Sequence, residues 1–227
     1  MNGRPINCTN SSSPAPAPVQ APEGSSLHVA SSLDGPWLPV LAGAPPSCNN
    51  PAPARHPNGT WFLVCDSRTL FRLDDGPASG APIGAWSEVS QLVPGPGALR
   101  GNYEDALLFF DAEDPPMWHA LFHIWTSDTN ITTCATTTVS GLAFSRDGIS
   151  WQFSQQQPYG NEVLFTDGSR MLLPTRERPK IFFDERRRPV RLVNGACGGV
   201  SSCLPNWCSR CKQLAWDYTL VQPIAAS

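Results

Sequence analysis

One pattern governs what this chain can become. Three times, a polar pair opens a short apolar strand, which runs through a polar turn into a second apolar strand. The openings are Asn50-Pro51, Asp105-Ala106 and Arg178-Pro179, in "NPAPARHPNGTWFLVC", "EDALLFFDAEDPPMWHALFHIW" and "ERPKIFFDERRRPVRLVNG". "GPW", "GAW" and "DGISW" also correspond, each placing a Gly turn ahead of a tryptophan at Trp37, Trp86 and Trp151. No stretch carries an amphipathic helical period. Units of roughly 50–70 residues with about four strands each are the pattern of β-propeller blades. A β-sandwich with similar hairpins is the alternative, but whole four-strand units match here and not only hairpins.

The expected fold is therefore all-β, with blade units at 27–40 (partial), 48–92, 103–155 and 175–222 inside a domain spanning 25–227. Propellers close with about four to eight blades. About three and a half would leave two flanks open, for a partner or further chain to cover. The reading thus expects the C-terminal part of a larger propeller, with Met1 not the start of the complete protein. Residues 1–24, rich in Ser, Pro and Ala, read as a disordered tail or long loop. They contain no apolar signal-peptide core, and no run in the chain is long enough to span a bilayer. The net charge of −3 gives no reason to expect nucleic acid or an anionic membrane as partner.

Eight cysteines accompany four N-x-S/T sequons, at Asn7, Asn10, Asn58 and Asn130. Together they point to an oxidising, secretory route and a secreted glycoprotein. Cys48 and Cys65 flank one hairpin and are candidates for a bridge. Cys197, Cys203, Cys208 and Cys211 end in a C-x-x-C that suits zinc or disulfides within a loop. The secretory context favours disulfides, with the connectivity open. Cys8 and Cys134 stay unassigned, and the sequence calls for no metal or cofactor.

"YEDALLFFD" sets an Asp where a Pro usually follows, and "RERPKIFFD", one unit later, sets a Glu two residues before Pro. This order resembles the five-bladed β-propeller glycosidases of glycoside hydrolase families 43 and 32. "CNNPAP…NGTWFLVC", "SGLAFSRDGISW", "TRERPKIFFDE", "LVNGACG" and "WDYTLV" look like secreted family-43-like proteins of algae, oomycetes and fungi. The resemblance covers roughly residues 27–222 and implies a five-bladed type. Carried over by residue, it makes Glu177 the general acid and Asp105 the supporting carboxylate. It supplies no match for the third carboxylate, which belongs to an earlier blade, and Ala106 departs from the usual Pro.

Glycoside hydrolysis needs two carboxyl groups flanking the scissile bond, one protonated and one ionised. Glu177 sits between Arg176 and Arg178, which strand alternation would turn to the opposite face. On an exposed edge strand all three would simply be solvated. Alternation also implies that only one of Glu104 and Asp105 faces inward. Asn50 is a candidate sugar-hydroxyl donor, or else satisfies its own strand end. His123 reads as a buried, hydrogen-bonded core histidine or as a substrate-binding residue. Trp37, Trp86 and Trp151 are expected to pack between units, and Trp61 and Trp118 to lie in the core. The function expected is that of a glycosidase-like protein, inverting if active, on a cell-wall or storage polysaccharide. This chain alone is expected to be inactive for want of the third carboxylate. A lectin-like carbohydrate-binding propeller or pseudoenzyme is the alternative.

Overall fold

The computed structural model describes residues 28–39, 45, 48–73, 86–113, 115–125, 138–173, 175–197 and 218–224. Over these the protein is all-β. A ribbon of β1 (His28–Val29) and β2 (Leu38–Pro39) comes first. Two four-stranded antiparallel meanders follow. The first is β3 (Ala52–Arg55), β4 (Trp61–Val64), β5 (Thr69–Leu73) and β6 (Trp86–Gln91). The second is β7 (Asn102–Asp111), β8 (Met117–Trp125), β9 (Ser140–Ser145) and β10 (Gln152–Phe153). A second ribbon, β11 (Glu162–Leu164) and β12 (Arg170–Leu172), precedes a three-stranded sheet. That sheet is β13 (Thr175–Phe183), β14 (Pro189–Cys197) and β15 (Tyr218–Pro223).

Local chemistry fixes the hairpins. Asn58-Gly59 turns β3 into β4, with Gly59 at φ 96° and its N–H donating to His56 O at 2.9 Å. In "SRDGIS", Asp147 Oδ1 accepts from the N–H groups of Ile149 and Ser150 and from Ser145 Oγ, while Gly148 takes φ 72°. A short acidic side chain closing its own turn this way needs no tertiary support.

Long-range packing then sets the first strands side by side, β3 against β7 and β7 against β13. Between the first two sheets lie Ala52, Ala54, Val64 and Leu70, facing Leu108, Trp118, Ala120, Phe122 and Ile124. The opposite face of β7 and β8, through Leu107 and Leu121, meets Ile181 and Leu192 of the third sheet. The β7–β8 hairpin is thus apolar on both faces, which explains the unbroken runs "ALLFF" and "LFHIW". Each fully buried aliphatic or aromatic side chain contributes about 1.5–3 kcal/mol.

The tryptophans divide. Trp118 is core, and Trp151 packs against the first core while its Nε1 donates to Ser90 Oγ and Gly148 O across two sheets. Trp86 packs against the cluster of Cys48, Leu63 and Cys65, and Trp61 carries the Arg55 guanidinium over its ring. Trp37 departs from the expectation of inter-unit packing and is 54% exposed, because its ribbon hydrogen-bonds to no other sheet among the described residues.

Candidate functional site

The three recurring pairs share one backbone feature. Asn50, Asp105 and Arg178 all adopt left-handed conformations, at φ 45°, 50° and 52°. In β7 the register jumps there, Glu104 pairing with His123 and Leu107 with Leu121. In β13 it jumps identically, Glu177 pairing with Gly195 and Lys180 with Val193. Each jump is a bulge, two residues opposite one, and a bulge re-aims the side chains around it.

This corrects two expectations that rested on strict alternation. Glu104 and Asp105 do not exclude one another: His123 Nδ1 lies 3.2 Å from Glu104 Oε1 and 3.9 Å from Asp105 Oδ2. Arg176 does turn away from Glu177. Buried, it donates to Gly160 O, Asn194 Oδ1 and Gln222 Oε1, and it stacks over Tyr159. Arg178 does not turn away, because the bulge swings it back until its Nε is 3.9 Å from Asp105 Oδ2.

The bulges gather a polar cluster. Asn50 Nδ2 donates to Asp105 Oδ1 at 2.7 Å and to Asp66 Oδ2 at 3.0 Å. Asp66 Oδ1 accepts the Asp105 N–H at 3.2 Å. Asp66 follows β4, held by its own N–H donating to Asn49 O and by the Cys48–Cys65 bridge just before it. Beside this network a cleft of about 130 Å³ is lined by Asn50, Pro51, Asp105, Ala106, Arg178 and Lys180. Glu177 lies next to Arg178 and is only 4% exposed. Its backbone carbonyl accepts from Asn194 Nδ2, whereas its carboxylate has no hydrogen-bond partner among the described residues.

Burial dominates the electrostatics. Desolvation pushes the Glu177 carboxyl above the ordinary carboxylate range; Asp105 and Glu104 push the same way, and His123 and Arg178 oppose them. Desolvation likewise raises Asp105, aided by Glu104 and opposed by Arg178 and His123. It raises Asp66 as well, against its bond from the Asp105 N–H. Lys180 is pulled below the usual ammonium range by desolvation, with Asp105 opposing. The arrangement favours a proton on at least one buried carboxyl, the condition for general-acid chemistry.

Glu104, Asp105 and His123 bring ligand atoms within 4.8 Å of one another, a donor set a divalent cation accepts. The same three are already engaged with each other and with Asn50 and Arg178. Of the residues singled out from the sequence, Asp105, Glu177, Asn50 and His123 all fall in or beside this cluster, His123 buried behind the carboxylates. Asp66, Arg178 and Lys180 were not singled out as site residues. Asp66 looks in sequence like an ordinary turn acid, whereas the recurring left-handed position was hinted at by Asn50, a residue type that tolerates positive φ.

Asn58 is exposed at the β3–β4 turn, its Oδ1 accepting from Thr60 N. Asn7, Asn10 and Asn130, with Cys8, Cys134, Cys203, Cys208, Cys211 and the side chain of Cys197, lie outside the described residues. Among the described residues no helix is long and apolar enough to cross a membrane. No protein-family model and no curated protein matches the chain.

Proposed function

We propose that the three sheets are blades of a β-propeller and that the cleft binds carbohydrate in a glycoside-hydrolase-like arrangement. Glu177 is the acid and Asp105 the carboxylate that supports it. The observation that carries this reading is Glu177 itself. A carboxyl group that is almost fully buried, with no hydrogen bond from the described residues to hold its charge, and close enough to Asp105 to feel it, is suited to keep a proton. Leaving-group protonation requires that, with a second carboxylate nearby. Blade geometry supports it too, since residues as distant in sequence as 105 and 177 meet at the starts of adjacent first strands.

The partner carboxylate is less well provided. Asp66 is the group nearest that role, but Asn50 and the Asp105 backbone occupy both its oxygens. Asp105 Oδ1 is likewise taken by Asn50. That network favours retention of sugar over activation of water, and so the binding reading for this chain on its own. The expected outcome is that calorimetry detects binding of an oligosaccharide while an assay for reducing ends detects no release. Absence of binding across a panel of neutral and acidic glycans would overturn the proposal. Release of reducing sugar that Glu177→Gln abolishes would overturn the inactivity.

A further inference from the structure

Resting on the carbohydrate reading, we propose that the glycan is anionic, and that Arg178 and Lys180 at the cleft recognise a carboxylate or sulfate on the sugar. The three first strands differ in charge at their starts. The left-handed residue at the start of each first strand is Asn50, Asp105 or Arg178, and two positions further on it is Ala52, Leu107 or Lys180. Ala52 and Leu107 pack against apolar neighbours. An apolar side chain therefore satisfies the fold at this position, and nothing in the repeat demands an ammonium there.

Its placement points to a ligand. The register jump puts Lys180 on the same face as Glu177, because their partners Val193 and Gly195 are two residues apart. Both Lys180 and Arg178 line the cleft. Arg178 reaches toward Asp105, whereas Lys180 makes no hydrogen bond or ion pair among the described residues. The charges are also graded by depth. Asp105 and Glu177 are 6% and 4% exposed, whereas the Arg178 side chain is 57% exposed. A neutral sugar would gain little from cations above buried carboxyls. An acidic sugar would set its anionic group on the Arg178 fork and the Lys180 ammonium, and present its hydroxyls and glycosidic oxygen to the acids beneath.

Calorimetry on the whole chain tests this with three probes of matched length: a uronate oligosaccharide, a sulfated one and a neutral arabino-oligosaccharide. The acidic probes should bind at least about tenfold more tightly than the neutral one. That preference should shrink as salt rises from about 20 mM to about 200 mM. Lys180→Met, which keeps the aliphatic stem, should remove about tenfold from acidic binding and leave neutral binding unchanged, with the circular dichroism spectrum preserved. Whichever acidic probe binds better identifies carboxylate or sulfate as the recognised group. Equal affinity for neutral and acidic probes, or no effect of Lys180→Met, overturns this inference alone. Binding of none of the three overturns it together with the carbohydrate reading.

Discussion

Glu104 and Glu177 hold the same place in two successive sheets, each one residue ahead of a left-handed bulge residue, Asp105 or Arg178. Their surroundings separate them. Glu104 faces His123 across the strand pair and accepts its contact at 3.2 Å, whereas the residue across from Glu177 is Gly195, which offers no side chain. One fold position thus yields a partnered carboxylate in one sheet and, in the other, a buried one with no hydrogen-bond partner among the described residues.

Glu177→Gln should therefore stabilise the protein at neutral pH. The folded-state pKa of Glu177 lies above its ordinary 4.5, so the fold prefers the protonated form. The cost of ionising it appears as pH rises from about that value through the folded pKa, and it is absent well below. The glutamine variant is neutral throughout. Its advantage should open above pH 4.5 and reach about 1 kcal/mol, a rise of about 2–4 °C in Tm, typical of relieving a functional site. Thermal melts across pH check it; an advantage that persists unchanged in acid would refute the assignment to ionisation.

The Cys48–Cys65 bridge closes a 17-residue separation around the β3–β4 hairpin, and its two ends carry Asn50 and Asp66. Replacing both cysteines by alanine should cost about 3 kcal/mol in urea denaturation through the restored freedom of the unfolded chain. It should also weaken the proposed glycan binding under fully folded conditions, because Asn50 then loses the pinned partner that orients it toward Asp105. Stability loss with unaltered binding would leave the bridge a purely structural element.

Much of the strand layout was legible because it rests on period and turn chemistry. Asn58-Gly59 and Asp147-Gly148 signal their turns locally, and the apolar runs of β7, β8, β13 and β14 announce strands whatever surrounds them. The candidate site was legible only in part. Alternation is a property of regular strands, and it fails where an extra residue enters one partner. A left-handed residue leaves no trace when its type is Arg, so Arg178 was expected to point away from Glu177. The network of Asp66 depends on tertiary approach of the β4–β5 turn to β7, for which one sequence carries no spacing signal. The environment of Trp37 likewise depends on neighbours that its own "GPW" does not specify.

Gly141 is required by close approach and not by an unusual turn. A Cβ built there would fall 2.5 Å from Tyr103 Cε1 and 2.8 Å from Ile124 Cδ1, in the core between the first two sheets. Tyr103 has little room to yield, since its hydroxyl donates to Leu99 O and its ring meets Phe122 and Phe153 edge-on. Gly141→Ala should destabilise by about 1–3 kcal/mol through overpacking. A Tyr103→Leu background should recover part of that loss, and an additive double mutant would show that the ring is not the obstacle.

Asp147 is the clearest case of an acid whose charge the fold uses. The N–H groups of Ser150 and Ile149, then Ser145 Oγ, hold its carboxyl down to about 2. Because the folded pKa is depressed, the stabilisation is complete above the unfolded value of 3.8 and is lost as pH falls through about 2. Asp147→Asn keeps an acceptor but removes the charge. It should lower Tm at neutral pH, and the gap to the parent should close between pH 3.8 and about 2, where the parent carboxyl also becomes neutral. The same turn sets Gly148 O for Trp151 Nε1 and Ser90 Oγ, so the variant should also loosen the seam between β6 and the β9–β10 hairpin. Faster amide exchange at Ile149 and Ser150, with a change in Trp151 fluorescence, would report that loosening. A gap that stays constant down to pH 2 would mean that geometry, and not charge, is what the turn takes from Asp147.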